Sequence, residues 1–240
     1  MGMIFPLLIL LSGPMLGVLL QRLLKVHSHQ FIGHTVAFSG AFLMGIALFG
    51  LMPELFDHIK IAGLWIVVGF LFQIFLERFT GGVGHGHIHS HDLPKSELIL
   101  FSGLMLHAIL EGYSAGLSQF LGQGFSYSMI VGIAIHEIPA AFSLSVLMHS
   151  KWKQSSHVYA FLLIYICATP IGYTLGVWVH EANVMSDNLI HIVMAIIAGI
   201  FLHISTTIVF EHSLRKKEGR SKWVLIILGL LVSYLACFLG

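Results

Sequence analysis

Two short segments set imidazoles and carboxylates together in otherwise apolar sequence. His107-Ala-Ile-Leu-Glu111 places a histidine and a glutamate four residues apart, and His136-Glu137-Ile138-Pro139 places the same pair side by side. On a helix, positions i and i+4 share one face, so His107 and Glu111 can grip one ligand together. Ser114 and Ser118 continue that face, and Gly112 and Gly116 form a small-residue strip that permits close helix contact. Two imidazoles and two carboxylates suit a borderline or moderately hard divalent cation, Zn2+ above all, with Fe2+, Mn2+ or Co2+ as further fits. Cu(I) is poorly served. Cys167 and Cys237 stand far apart in apolar runs and indicate neither a disulfide framework nor a thiolate cluster. Pro139 has no N–H, so the Ile135 carbonyl loses its helical donor. A kink is expected there, with a spare oxygen beside the site.

These residues sit in a chain built for lipid. Of 240 residues 57% are hydrophobic and 10% charged, with a mean hydropathy of +0.90. A soluble domain carries about 25% charged residues. A soluble enzyme, a disordered protein and a nucleic-acid binder are therefore excluded, and the net charge of +1 leaves no polyanion-binding character. Runs of about 20 apolar residues predict eight transmembrane helices at roughly 3–21, 35–56, 61–76, 97–120, 125–148, 158–180, 188–210 and 223–239. The first lacks a basic leader and a small-residue cleavage site, so it reads as a span rather than a signal peptide. Pro6 and Pro14 interrupt it. The fold class is all-α, a polytopic membrane protein, with residues 1–240 as a single transmembrane domain.

Orientation follows from charge. Arg22, Lys25, Arg78, Lys95, Lys151, Lys153, Arg215, Lys216, Lys217, Arg220 and Lys222 fall on one side, and only Lys60 on the other. The positive-inside rule puts the first set in the cytoplasm and both termini outside. The turn between the fourth and fifth spans centres near Gly122. His107 lies 15 residues before it and His136 14 after it, so both lie about 20 Å from the turn at about 1.5 Å per residue. Two antiparallel neighbours would bring His107, Glu111, His136 and Glu137 to one level near the midplane. Hydrogen bonding in a bundle core accounts for a single buried histidine, and a proton relay can also use His and Glu. Four such groups at matched depth are better accounted for by a metal site.

Weaker candidates surround this centre. Residues 81–95, GGVGHGHIHSHDLPK, alternate His85, His87, His89 and His91 in a Gly-rich cytoplasmic loop, the form of a loose metal-binding tract. His203, Thr207 and Glu211 make a stripe on the seventh span that either lines a route or bonds within the core. Glu54, Asp57, His58, His180 and Glu181 end spans on the outer side, where together they would form an acidic mouth that concentrates cations. Met44, in the second span, is a core residue or an extra ligand. His27, His29, His34, His149, His157, His191 and His212 lie near membrane boundaries and are assigned no role.

These motifs resemble the ZIP (Zrt/Irt-like) family of metal transporters along essentially the whole chain. HAILEGYSAGLS resembles the family's HNFxEG or HNxxDG segment, and HEIPAAFSLS its HEIPHE or xxxPEG segment. Thr169-Pro170-Ile171-Gly172 is similar to xPLG, and AGIFLHIS to AGxFLY. The resemblance implies a ZIP-like bundle of eight helices with outside termini. It also implies inward flux by elevator-like or rocking alternating access, and a homodimer as a frequent assembly. The metal is then the transported substrate, with no separate cofactor. Matched position by position, His107 and His136 correspond to ligands of a first metal position, Glu111 to a second-position ligand and Glu137 to a carboxylate serving both. Ala108 replaces the usual Asn, Ala140 a ligating Glu or His, and Thr169 a Glu found in some bacterial members. One metal position is expected rather than two, completed by water, Met44 or the Ile135 carbonyl. The expected function is divalent-metal transport into the cytoplasm across the plasma membrane, with the lipid bilayer as partner and no enzymatic activity. The alternatives are an intramembrane metal-dependent hydrolase, which lacks an HExxH pair because Ala140 follows His136-Glu137, and a degenerate non-transporting metal sensor.

Overall fold

A computed structural model describes residues 3–23, 29–80, 97–152, 156–213 and 219–239, and among them it is helical almost throughout, with no strand. The helices are α1 (Ile4–Leu23), α2 (His29–Gly45), α3 (Met52–His58), α4 (Ala62–Thr80), α5 (Glu97–Leu117), α6 (Gln123–Trp152), α7 (Ser156–Glu181), α8 (Asp187–Ser213) and α9 (Gly219–Leu239). A widened π turn, Ile46–Leu51, joins α2 to α3. The resulting rods occupy the eight expected places. Six helical stretches are long and apolar enough to cross a membrane: Ile4–Leu23, Gly33–His58, Phe125–His149, Ser156–Glu181, Asp187–Val209 and Ser221–Phe238. The protein is an all-α, multi-pass membrane protein.

Its outer surface is apolar. Leu64, Leu71 and Phe75 on α4, Leu163 and Trp178 on α7, and Ile227, Leu231 and Phe238 on α9 are all exposed. In water each such side chain forgoes about 1.5–3 kcal/mol of burial, whereas in hydrocarbon nothing is lost. The hydrophobic effect therefore cannot press these helices together, and close packing at small residues must do so. Glycines mark the seams. Gly112 and Gly116 of α5 lie against the backbone of α7 at Thr169, Tyr173 and Val177, while Gly172 and Gly176 of α7 lie against α5 at Ile109 and Tyr113. Gly13 and Gly17 of α1 approach the carbonyls of Ala134 and Ile138 on α6, and Gly69 and Gly199 interlock α4 with α8. The contacts divide the bundle into α1, α5, α6 and α7 on one side and α2, α4, α8 and α9 on the other.

The small-residue strip on α5 thus faces α7, not its hairpin neighbour α6. α6 stays helical through Pro139, from Gln123 to Trp152. Gly13 and Gly17 lay α1 directly against the Ala134 and Ile138 carbonyls of this segment. α1 itself continues through Pro14, and both Pro6 and Pro14 are buried. The irregular turn falls elsewhere. Pro53, at the start of α3, cannot donate to Phe49, and the Met52 N–H reaches back five residues to the Ala47 carbonyl. The helix widens there rather than breaking.

Candidate metal centre

α5 and α6 are joined by a short 3-10 turn, Ser118–Leu121, and by Gly122, whose φ of 113° places it in the left-handed region. This tight connection brings His107 and His136 to the same depth. Their rings lie 6.0 Å apart, centroid to centroid, with 70° between planes. Glu111 reaches between them: its Oε1 is 3.3 Å from His107 Nε2 and 3.6 Å from His136 Nε2. One donor atom from each of the three residues falls within 4.8 Å of the others. With Zn–N and Zn–O bonds of about 2.0–2.2 Å, the edge of a tetrahedron is about 3.3–3.6 Å. The Glu111 separations match that edge.

The three residues are buried, and five of their polar atoms make no hydrogen bond: His107 Nε2, both Glu111 oxygens, and both His136 nitrogens. An unsatisfied buried polar group costs about 1–3 kcal/mol. Apart from the close approach of Glu111 Oε1 to the two Nε2 atoms, these atoms have no partner, and nitrogen and oxygen lone pairs gathered this way are a donor set that could hold a cation.

Glu137 sits beside this cluster, within reach of Glu111, and is also held by α7. The Tyr165 hydroxyl donates to its Oε2 at 2.7 Å and the Thr169 hydroxyl to its Oε1 at 3.1 Å. Tyr165 has no counterpart among the residues singled out from sequence. The available signal was the i, i+4 polar pair Tyr165 and Thr169 on α7. Thr169 therefore stands as a partner of Glu137. Ser114 lies on α5 and Ser118 opens the 3-10 turn beyond it, and their hydroxyls donate to the Glu111 and Ala115 carbonyls at 2.6 and 2.7 Å. Ser118 also bonds Ser126 of α6 at 3.1 Å. Ala108 is fully buried in an apolar cluster with Phe101, Leu104, Leu144 and Leu147, and Ala140 is buried likewise.

The remaining candidates disperse. His203 Nε2 lies 3.5 Å from Glu77 Oε2, and its ring meets Phe70 edge-on at 4.9 Å, so it joins α8 to α4 rather than to the cluster. Met44 is half-buried on α2, in the other group of helices. Glu211 ends α8, where its side chain lies outside the described residues, as do His85, His87, His89 and His91 and the whole 81–95 tract. At the expected acidic mouth, Phe120 lies between His180 and His191, meeting both edge-on. Glu181 lines a cavity of about 100 Å³ with Gln119, Ser126, Tyr127 and Tyr173, whereas Glu54 and His58 meet His191.

The family profile described as ZIP Zinc transporter matches residues 86–236. Among curated proteins, the chain is 31% identical over 157 residues to the zinc transporter ZIP9 of Micropogonias undulatus, covering 60% of this chain and 49% of that protein. It is 30% identical over 179 residues to zinc transporter ZIP9 of Xenopus tropicalis, covering 67% and 57%. It is 28% identical over 164 residues to zinc transporter ZIP1 of Danio rerio, covering 67% and 53%. The chain spans about half the length of the curated relatives it matches. The profile covers well over half of the chain, including the α5 and α6 segments that carry the buried donors. The chain accordingly belongs to the ZIP zinc transporter family.

Proposed function

We propose that this protein carries a divalent transition-metal cation, Zn2+ first, across the plasma membrane and into the cytoplasm as a single transmembrane unit with both termini outside. One observation carries the reading: five buried nitrogen and oxygen atoms of His107, Glu111 and His136 have no hydrogen-bond partner in the middle of an apolar bundle. One cation is bound at a time, because Ala108 and Ala140 supply no ligand atom and Thr169 is engaged with Glu137. Glu137 is held in reserve by Tyr165 and Thr169 and completes the coordination when those hydroxyls release it.

The surroundings of the cluster are asymmetric. Toward Gly122 lie the hydroxyls of Ser114, Ser118 and Ser126. Toward the opposite end lies the apolar cluster of Phe101, Leu104, Leu144, Leu147 and Leu162. A cation bound here meets polar groups on the outer side and an apolar seal on the inner side. That seal must open for release into the cytoplasm, as alternating access requires. The family's membership among transporters, and relatives described as zinc transporters, support the same reading.

The test is flux into proteoliposomes holding a Zn2+-sensitive dye, with Fe2+ and Mn2+ run in parallel. Wild type is expected to exceed empty liposomes, and His107→Ala and Glu111→Gln to abolish the excess. No flux of any of the three metals in wild type sinks the transport reading. Full flux in both variants sinks the site.

A further inference from the structure

A second group of donors lies at the end of the bundle that holds the Gly122 turn. Glu54 and His58 occupy successive turns of α3, and His191 stands in the first turns of α8. One donor atom of each lies within 4.8 Å of the others. The two imidazole rings stack at 4.5 Å with 15° between planes. His58 Nδ1 lies 2.9 Å from the Glu54 carbonyl and 3.3 Å from its Oε1. His191 Nδ1 lies 2.7 Å from the Asp187 carbonyl.

With Nδ1 donating to the backbone carbonyl behind each ring, Nε2 is the nitrogen left for an ion. That is the arrangement in which histidine binds metals: the ring is oriented, and its tautomer chosen, by a backbone carbonyl behind it. Glu54, whose Oε1 lies beside His58 Nδ1, must turn its half-exposed side chain toward Nε2 to share that ion. Phe120 closes one wall, meeting His191 edge-on at 5.0 Å. The environment is graded, with His191 5% exposed and the Glu54 and His58 side chains 41% and 49% exposed. An incoming ion can therefore reach the site from water while one ligand anchors it from within.

We propose that Glu54, His58 and His191 form a second divalent-cation site, separate from the buried centre, that binds a Zn2+-like ion at the outer end of the bundle. Its ligand chemistry stands on these three side chains and does not depend on transport. Two imidazoles and one carboxylate leave a fourth position open to water, a set that favours Zn2+ over Mg2+ or Ca2+, which prefer oxygen ligands.

The experiment counts Zn2+ bound to the purified full chain by equilibrium dialysis, in a parent with His85, His87, His89 and His91 changed to Ser. His58→Ala is expected to lower the count by one and to leave the ion that His107→Ala removes. Glu54→Gln, a milder change at a half-exposed position, is expected to weaken the same binding step at least about 10-fold, and Glu54→Asp to restore part of it. A parent isotherm unchanged in both His58→Ala and Glu54→Gln overturns the proposal. The two readings fail separately. Loss of the outer ion with no flux in wild type sinks transport and leaves this site standing, whereas flux with no change in the count does the reverse.

Discussion

Gly112→Ala is the most direct test of how the centre is held. A Cβ built on Gly112 meets the Thr169 carbonyl oxygen, with the Thr169 carbonyl carbon at 2.8 Å and the Tyr173 nitrogen at 2.9 Å. Ordinary heavy-atom contacts lie at about 3.5–4.0 Å, and the obstacle is backbone, which cannot swing aside. α5 and α7 must therefore part by roughly 1 Å, a distance set by that contact shortfall. Overpacking of this kind costs about 1–3 kcal/mol. Thr169 moves with α7, so its 3.1 Å bond to Glu137 is stretched beyond reach, adding about 1–3 kcal/mol. The sum is about 2–6 kcal/mol, at the top of the range for one substitution. Gly63→Ala is the control, because its Cβ meets only Phe56 Cε1 at 3.9 Å, and in a helix the change gains about 0.5–1 kcal/mol. Melting in mild detergent, followed by a thiol-reactive dye on the half-buried Cys167, should drop several degrees for Gly112→Ala and hold or rise for Gly63→Ala. Equal melting temperatures for the two variants would refute the claim that glycine contact positions the site.

Tyr165→Phe removes the 2.7 Å bond to Glu137; it should destabilise the protein by about 1–3 kcal/mol in the same melt, and alter Zn2+ flux while His107→Ala abolishes it. Deleting 85–91 should change the apparent affinity for metal more than the maximal flux, and complete loss of flux would put the loop on the path. In a chain with Cys167 and Cys237 replaced by Ala, an impermeant thiol reagent applied to intact cells should label Lys60→Cys and spare Lys216→Cys. The opposite pattern would invert the topology.

Much of this was legible because lipid makes sequence speak plainly. A run of apolar residues must be a helix, since the backbone has no water to bond, and eight such runs lie where the rods are found. His107, Glu111 and His136 were legible for a related reason: titratable groups are too costly in hydrocarbon to be there by default. Partners were harder to read. Gly112 and Gly116 announce a face that permits close approach, but not that Gly172 and Gly176 of α7 fill it. Glu137 looked like a first-rank ligand because it follows His136, yet its carboxyl turns to Tyr165 and Thr169, hydroxyls from a helix distant in sequence. His191 looked like a boundary residue, because its 5% exposure depends on α3 lying across it. Pro139 suggested a kink, and α6 runs through it as a helix that α1 lies against.

The widened turn at Ile46–Leu51 acts as one extra residue spliced into a helix. Each residue advances an α-helix by about 100°, so an insertion resets the phase of everything beyond it. The apolar core of α2, with Val36, Ala37, Phe42 and Leu43, obeys one angular register, and α3 obeys another. Without that offset, the register that packs α2 inside the bundle would carry Glu54 and His58 round to a different azimuth, away from His191. The spliced residue lets one span satisfy two constraints that a regular helix could not satisfy together: a greasy flank for most of its length, and half-exposed polar donors brought beside His191 at its tip.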